Sequence, residues 1–524
     1  MKRIISAALA LILVTTVAQP VSAQDAFNPD TVDYPRGTGR FQVMEPIESN
    51  PHSDLVALRI DRNGIWDQWV CTSTKDPECQ GNVQSISGAA ILPLCDSATD
   101  ENCVASLEIA AKDEEFQAAK YIRNIGGRTF AADPAESFFE QSTPSLWEAA
   151  NAPSKSGTTT YALVVRVVQT KFVKGSNKYE SQRFHASVVP YREVKDPKYK
   201  EPYGYTEIGD PVRGQQPRSH AGGGGDISCF WTENGGCGIA QDFADGTKVR
   251  LNIRVEKSII GWFQARLKGP QISVREFSKD NNEIIVEAEP TVVQRMLYVV
   301  PDAKKLTARE RGFVRYNGYG GSPEDFTTKA PAQDVFSFEY LDYFKDKVKD
   351  TATGSNTYWS FSSTEGESTG SPCLADRTRV LGIVTTNAMV YDGGVPKFSR
   401  GFLNYRIAGL HYESDGKTKV YGTYDLVIRS DIARCLYGFS RAPVSATITI
   451  TGEGDKDIAT TVVGESNGWL RLAAYGFSFS EKNIRIRLTQ PKRTTINCVS
   501  TTAPTRTTKV TGTNPKCPTG FRKR

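Results

Sequence analysis

The side chains best suited to chemistry in this 524-residue sequence are its ten cysteines, and some of them share one spacing. Seven residues separate the members of three pairs, which are Cys71 and Cys79, Cys95 and Cys103, and Cys229 and Cys237. The remaining cysteines are Cys373, Cys435, Cys498 and Cys517. Thiols in such numbers can hold a metal ion, exchange disulfides or cross-link an exported scaffold.

The spacing favours cross-linking. Structural zinc sites use cysteines about two to four residues apart, which differs from the repeated interval here. No Cys-x-x-Cys segment occurs, so the thioredoxin-type redox motif is also missing. We therefore expect structural disulfides and no metal site. The sequence leaves the connectivity open, but the repeated interval favours local closure as 71–79, 95–103, 229–237, 373–435 and 498–517.

Catalytic motifs are scarce. The four histidines are His52, His185, His220 and His411, and no H-E-x-x-H segment contains them. Two G-x-S-x-G segments centre on Ser368 and Ser466, but a nucleophile elbow needs an Asp and a His later in the chain. No histidine follows Ser466, which is better explained as a hairpin tip. Nucleotide-binding glycine motifs and EF-hand loops are missing, so we predict no catalytic residue and no cofactor.

Sugar chemistry remains open. The chain has 59 acidic residues, and a glycosidase needs two carboxylates that converge in a cleft, which sequence alone does not establish. Aromatic clusters at Tyr358-Trp359-Phe361 and at Phe313, Tyr316 and Tyr319 could stack on sugar rings. Packing in a β core is the favoured explanation for both clusters.

The first 23 residues have the composition of a secretory signal. Lys2 and Arg3 precede an apolar run, and Val21-Ser22-Ala23 places small residues before a cleavage site. The apolar run is shorter than the roughly 18 residues that a spanning helix needs. We expect cleavage after Ala23, secretion, and no membrane span in the mature chain. An oxidising destination agrees with the predicted disulfides.

Charge is concentrated at the C-terminus. The sequence has 64 Lys and Arg residues against 59 Asp and Glu residues, a net charge of +5. Residues 491–524 hold eight basic residues and no acidic residue, which leaves residues 24–490 at −5. Such a field attracts anionic polymers, and no nucleic-acid motif accompanies it. The candidate contacts for an anionic cell-wall polymer or glycan are Arg506, Lys509, Lys516, Arg522, Lys523 and Arg524.

The elements that must position these residues are mostly strands. Alternating or β-branched runs recur from "DLVALRI" (54–60) to "NIRIRLTQ" (483–490), separated by hairpin signals such as "ESNGW". Helical patterns are best at 111–122 and 143–151, whereas 336–348 fits either period. The pattern predicts a mainly β protein of several antiparallel β-sandwich or barrel-like modules with few short helices.

Shifts in composition suggest a division into domains. Glycine-rich and Ser/Thr-rich stretches are typical of linkers. We expect a signal peptide (1–23), an N-terminal β domain (24–212), a linker (213–226), a middle β domain (227–348), a second linker (349–372), a C-terminal β domain (373–490) and a basic disulfide-closed tail (491–524).

The tail combines an Ile-x-Cys segment, a basic Thr/Lys stretch and a closing Pro-x-Cys-Pro-x-Gly-aromatic segment. Its residues in this pattern are Ile496, Cys498, Lys509, Val510, Gly512, Pro515, Cys517, Pro518, Gly520, Phe521 and Arg522. In these residues the tail resembles the C-terminal segment of uncharacterised exported actinobacterial cell-envelope proteins. In the body, "STPSLWE" and "ARCLYGFSRAPVSATITITGEG" resemble secreted proteins of the same phylum. The resemblance implies an exported envelope protein and carries over no catalytic residue.

These observations leave two classes of function. The first is a secreted, non-catalytic cell-envelope protein, structural or adhesive, that its basic tail retains on an anionic wall. The alternative is a carbohydrate-binding or glycan-active extracellular protein. Two carboxylates facing each other in a cleft would favour an enzyme, and an exposed planar row of aromatic rings would favour sugar binding.

Overall fold

The computed structural model describes most of the chain beyond the N-terminal segment. The described residues are 35, 37–45, 54–60, 66–77, 79, 83–125, 128–173, 178–195, 206–210, 214–218, 231–233, 236–259, 261–319, 326–364, 371–376, 379–439, 445–452, 460–479, 481–490, 494–512 and 515–524. The predicted signal segment and its cleavage after Ala23 lie outside this set, and so does Cys229.

Strands dominate, which confirms the predicted mainly β class. In chain order they begin with β1 Gly39–Met44, β2 Asp54–Ile60, β3 Trp66–Val70, β4 Ser85–Ile91, β5 Cys103–Ala110, β6 Gln117–Ala118, β7 Lys120–Asn124, β8 Ser145–Glu148, β9 Thr160–Phe172, β10 Glu180–Lys195, β11 Thr206–Asp210 and β12 Gly214–Arg218. They continue with β13 Trp231–Glu233, β14 Gly236–Ala240, β15 Lys248–Glu256, β16 Trp262–Arg266, β17 Lys268–Glu276, β18 Asn281–Glu289, β19 Thr291–Arg295, β20 Leu297–Val300, β21 Gly318–Tyr319, β22 Phe326–Pro331, β23 Gly354–Ser363 and β24 Gly382–Thr386. The last are β25 Val390–Tyr391, β26 Lys397–Ser399, β27 Phe402–Ala408, β28 Tyr421–Arg429, β29 Ser445–Gly452, β30 Thr460–Ser466, β31 Trp469–Ser478, β32 Lys482–Thr489, β33 Thr494–Ser500, β34 Thr507–Gly512 and β35 Phe521–Lys523.

Helices are short and few in the described chain: α1 Ala308–Asn317, α2 Phe336–Lys345 and α3 Ser430–Tyr437. The ambiguous segment 336–348 contains α2. The helical predictions for 111–122 and 143–151 are wrong, because these segments contain β6, β7 and β8. β8 pairs with both β7 and β9, and this pairing overrides the local helical preference. Among the residues that the structure describes, no helix has the length and apolar character needed to cross a membrane.

One long sheet organises the molecule. Its main path is β3-β2-β4-β9-β10-β23-β16-β24-β28-β31-β30, antiparallel throughout except between β16 and β24. Two five-stranded sheets accompany it, β17-β18-β15-β5-β6 and β25-β27-β32-β29 with β26 beside β27. A four-stranded sheet has the order β20-β1-β22-β21, and the three-stranded sheet β34-β33-β35 ends the chain.

The first sandwich packs the sheet around β15 on the first half of the long sheet. Burial alternates along β15, as its sequence "KVRLNIRVE" predicts for a strand with one apolar face. The first core combines the apolar residues Val249, Leu251, Ile253 and Val255 of β15 with Tyr161, Leu163, Val165 and Val167 of β9.

The second sandwich lies on the opposite face of the same long sheet. In β24, Ile383 belongs to the first core, whereas its neighbour Val384 belongs to the second. The second core also contains β27, β32, α2 and Phe41 of β1. Strands β24 and β28 are therefore covered on both faces, which explains why apolar residues stand side by side in them, as Ile383-Val384 and Leu426-Val427-Ile428.

The sheet pairings cross the expected domain boundaries. Segment 349–372, expected as a linker, contains β23, which pairs with β10, β16 and β19. Trp359 and Phe361 of β23 are buried in the first core, while serines alternate with them and give the segment its linker-like composition. In the other expected linker, 213–226, β12 pairs with β11.

Four of the five predicted disulfides are present. They are Cys71–Cys79, Cys95–Cys103, Cys373–Cys435 and Cys498–Cys517. No free cysteine occurs in the described part of the chain. The fifth pairing, Cys229–Cys237, stays a prediction because Cys229 lies outside that part.

A buried ion pair joins the N-terminal strand to the long sheet. Glu45 follows β1, and Arg266 ends β16; their side chains are 3% and 2% exposed. Arg266 Nε donates to a Glu45 carboxylate oxygen at 2.9 Å. The same guanidinium donates to the carbonyl oxygens of Thr386 (2.8 Å) and Ala388 (2.7 Å), and it lies 4.4 Å from the centre of the Tyr391 ring. All three guanidinium nitrogens of Arg266 and both carboxylate oxygens of Glu45 thus have a hydrogen-bond partner.

Candidate functional site

The basic tail folds into a small antiparallel sheet. Its central strand β33 pairs with β34 on one side and with β35 on the other. Threonine, valine and isoleucine make up more than half of β33 and β34, which suits extended backbone. The connection from β33 to β34 is a tight loop, in which the Ser500 hydroxyl accepts hydrogen bonds from the N–H groups of Thr502 and Ala503.

A disulfide closes this sheet. Cys498 lies at the centre of β33 and is fully buried, and it is bonded to Cys517 in the segment before β35. The bond joins the central strand to the segment leading into the last strand. Three short strands bury little apolar surface, so a covalent link is the main tie available to them.

The register sorts the basic side chains onto two faces. Lys509 lies opposite Asn497, and Arg522 lies opposite Val499, two residues further along β33. The N–H of Arg524 donates to the carbonyl oxygen of Asn497 at 2.9 Å, which continues the same register. Because direct cross-strand neighbours point to one face, these three cations share a face. We call Lys509, Arg522 and Arg524 the basic tail face.

The other predicted contacts lie elsewhere on the tail. Lys523 is opposite Cys498, on the face that carries the disulfide. Arg506 is on that face too, 5.9 Å from the centre of the Phe521 ring. Lys516 precedes Cys517 in the loop between the strands. All six basic residues are exposed, but the sheet brings only half of them onto one surface.

The basic tail face has the electrostatics of an anion-binding surface. Residues 491–524 contain no Asp or Glu, and the described tail residues form no ion pair with the rest of the described chain. Residues two apart on a strand are about 7 Å apart, and next-but-one strands are about 10 Å apart. Both distances are close to the Debye length of about 8 Å at physiological salt, so the three charges act on one ligand together.

An aspartate–histidine pair lies in the body. His411 Nδ1 and Asp350 Oδ2 are 2.5 Å apart, and the N–H of His411 donates to Asp350 Oδ1 at 2.9 Å. Lys345 Nζ is 3.5 Å from the same carboxylate. In the described part of the chain, no hydroxyl or thiol is hydrogen-bonded to this imidazole. The pair thus lacks the nucleophile that an acyl-transfer triad requires.

A second buried acid is Asp425 in β28. Burial raises its pKa above the ordinary value, although the Tyr475 hydroxyl and the N–H of Gly269, 3.3 Å away, favour the ionised form. Its residue surface is fully buried, so a substrate has no direct access to it. We interpret Asp425 as a link between β28, β31 and the start of β17.

The serine motifs give no catalytic centre. Ser466 ends β30, and Asn467 and Gly468 have φ angles of 49° and 80° before β31 begins. Positive φ at both central residues is typical of a two-residue hairpin turn, so Ser466 lies at a hairpin tip as predicted. Ser368 lies outside the described residues.

The aromatic clusters mostly belong to cores. Trp359 and Phe361 are each 1% exposed, and Phe313 is 2% exposed and contacts the rings of Tyr340 and Phe344. No group of three or more His, Cys, Asp or Glu side chains with the geometry of a metal site occurs in the described residues.

Comparison of the chain with protein-family models, with curated proteins and with solved structures gave no match.

Proposed function

We propose that the protein is a secreted, non-catalytic envelope protein that its C-terminal sheet retains on a polyanionic surface. The observation that carries this proposal is the basic tail face, on which Lys509, Arg522 and Arg524 are exposed together without an acidic residue in the tail. The disulfide between Cys498 and Cys517 keeps the three side chains in register.

The body supports a non-catalytic role. Its most buried charged groups, Glu45, Arg266 and Asp425, have protein partners and connect strands. Among the residues that the structure describes, no hydroxyl or thiol is hydrogen-bonded to the imidazole of the Asp350–His411 pair. The charge of residues 24–490 is −5, so the tail supplies the attraction to an anionic surface and the body opposes it.

The test separates the arrangement of the charges from their number. One variant neutralises the basic tail face, Lys509→Gln/Arg522→Gln/Arg524→Gln. The matched control removes the same charge from the rest of the tail, Arg506→Gln/Lys516→Gln/Lys523→Gln. Retention of the full-length secreted protein on isolated cell walls is then measured at low and high salt.

We expect the face variant to release most of the protein at low salt, and the control to release clearly less. Wild-type retention should fall as salt rises, because exposed charges are screened. Equal retention of the wild type and a chain ending at Gln490 would refute a role for the tail. Equal release by the two triple variants would show that net charge, not the basic tail face, is responsible.

A further inference from the structure

The solvent face of the second five-stranded sheet carries a regular array of polar side chains. β32 lies between β27 and β29, and the register places Arg485 between Asn404 and Thr449. The same register continues the array on both sides of that row. We call the array the grid face; it consists of Phe402, Asn404 and Arg406 on β27, Asn483, Arg485 and Arg487 on β32, and Thr447, Thr449 and Thr451 on β29.

The hydrophobic core fixes the orientation of this face. Ile484, Ile486 and Leu488 alternate with the polar residues of β32 and are at most 3% exposed. Because strand residues alternate between faces, their burial forces the intervening polar residues toward solvent. The grid face is therefore a rigid surface of the body, separate from the tail.

Two cations on the grid face have no acidic partner. Arg406 lies 3.6 Å from carboxylate oxygens of Asp392 and Glu481, so its charge is balanced. Arg485 and Arg487 form no ion pair with any described residue. Their guanidinium carbons lie 4.1 and 5.7 Å from the centre of the Phe402 ring, and this stacking restricts the side chains before any ligand binds.

The array continues into a groove. Thr451 and Asn483 face each other in the last row of the array. Together with Lys345 and Asp342 of α2 they line a cavity of about 450 Å³. Phe338 contributes apolar lining, and Glu481 adds a second acid. Two carboxylates against one lysine disfavour an anionic ligand in this groove, so such a ligand would stay on the grid face itself.

We propose that the grid face binds an anionic polysaccharide. Arg485 and Arg487 are about 7 Å apart along the strand, so two anionic groups of one chain can contact them together. Threonine hydroxyls and the amide oxygen of Asn404 suit the hydroxyl groups of sugars, while the Asn404 amide nitrogen donates to the carbonyl oxygens of Lys397 and Phe402. A peptide would need an apolar anchor on the grid face, but Arg485 covers Phe402, the one apolar member of that set. The same cover prevents the base stacking that single-stranded nucleic acid would need.

This inference goes beyond the proposed function, because it assigns a ligand to the body and does not require the tail. It is tested in the full-length secreted chain carrying Lys509→Gln/Arg522→Gln/Arg524→Gln, so that the tail contributes little binding. The probe is polygalacturonate, a carboxylate-bearing polysaccharide. Uncharged dextran and inorganic polyphosphate test the contributions of the charge and of the sugar.

We expect Arg485→Gln/Arg487→Gln to weaken binding of polygalacturonate about tenfold, since two charge-assisted contacts are lost. The matched control, Lys120→Gln/Lys279→Gln, removes the same charge from exposed positions outside the grid face and should change binding less than about twofold. A second variant, Thr447→Val/Thr449→Val, should weaken binding of polygalacturonate and leave that of polyphosphate unchanged.

Three results would overturn the inference. Unchanged polygalacturonate binding by Arg485→Gln/Arg487→Gln would exclude the grid face. Dextran binding as tight as that of polygalacturonate would exclude a role for charge. Polyphosphate binding as tight as that of polygalacturonate, with no effect of the threonine variant, would make the surface a general polyanion site. None of these results depends on whether the tail retains the protein on cell walls.

Discussion

Removing one partner of the buried pair between Glu45 and Arg266 should destabilise the protein strongly and unequally. Glu45→Gln keeps the shape of the side chain but leaves a guanidinium in a site where it is 2% exposed. Burial alone would lower the pKa of Arg266, but the Glu45 carboxylate outweighs it, and the pKa lies above its ordinary value. Glu45→Gln removes that support, but an arginine side chain keeps its proton in proteins, so the guanidinium stays charged in the buried site.

Breaking a buried pair typically costs about 3–5 kcal/mol. Arg266 would retain its hydrogen bonds to the carbonyl oxygens of Thr386 and Ala388, and its contact with Tyr391. We therefore expect the lower end, about 3 kcal/mol, for Glu45→Gln. The pair of Lys257 and the exposed Glu276 is the control, and Glu276→Gln should shift the urea midpoint far less than Glu45→Gln does.

The opposite variant, Arg266→Met, should behave differently with pH. It leaves a buried carboxyl group that binds a proton more readily in the folded than in the unfolded chain. When the folded state binds more protons, stability rises as pH falls, by up to about 1.4 kcal/mol per pH unit, until the unfolded carboxyl is protonated near pH 4.3. Arg266→Met should thus recover stability between pH 8 and about pH 5, whereas Glu45→Gln should not.

Urea unfolding at several pH values, followed by tryptophan fluorescence, measures both effects. Trp262 and Trp359 lie on the two sides of the long sheet and report on both cores. A fall of less than about 1 kcal/mol in the free energy of unfolding for Glu45→Gln would refute the argument, because it is the effect expected of a solvent-exposed pair. A parallel pH dependence of the two variants would refute the proton-binding argument.

Two further predictions concern stability. His185 Nε2 is buried without a hydrogen-bond partner, and burial first, then the charge of Arg166, lowers the pKa of His185 to about 3. The free energy of unfolding should therefore fall by up to about 1.4 kcal/mol per pH unit as pH drops below about 6.5 toward 3. In urea titrations His185→Gln should flatten this slope, and an unchanged slope would contradict the prediction. Cys373→Ser/Cys435→Ser opens a loop with a sequence separation of 62, so the chain-entropy model predicts that the free energy of unfolding falls by about 4 kcal/mol. A urea midpoint equal to that of the wild type would contradict this prediction.

Much of the fold could be predicted because its local patterns are strong. Alternating segments such as 248–257 form strands with one buried face, and hairpin signals such as "ESNGW" lie at turns. The failures come from long-range pairing. Segment 349–372 has a linker-like composition, yet it contributes β23 to the centre of the long sheet because β10, β16 and β19 surround it. Periodicity within a window cannot reveal a partner more than a hundred residues away.

The candidate surfaces show the same limit. The excess of cations in residues 491–524 is visible in the sequence, but the grouping of Lys509 with Arg522 and Arg524 depends on which residues of β33 face them. For the grid face, the alternation of isoleucine with arginine in "NIRIRLT" indicates an exposed basic row. The threonine and asparagine rows beside it follow only from the pairing of β32 with β29 and β27.

The basic tail face and the grid face share one arrangement of side chains but are stabilised differently. Each places cations and threonines at alternate strand positions, so that register, not loop conformation, sets the distance between charges. The grid face rests on a deep core that includes Ile484 and Ile486. The basic tail face has no such core behind it, and three short strands are not stable on their own. The disulfide between Cys498 and Cys517 takes the place of that core, since it constrains the unfolded tail in a loop with a sequence separation of 19, at a gain of about 3 kcal/mol on the chain-entropy model. An oxidising environment is thus a condition for charge presentation by the tail, whereas the grid face is held by a packed core that the Cys373–Cys435 disulfide further stabilises.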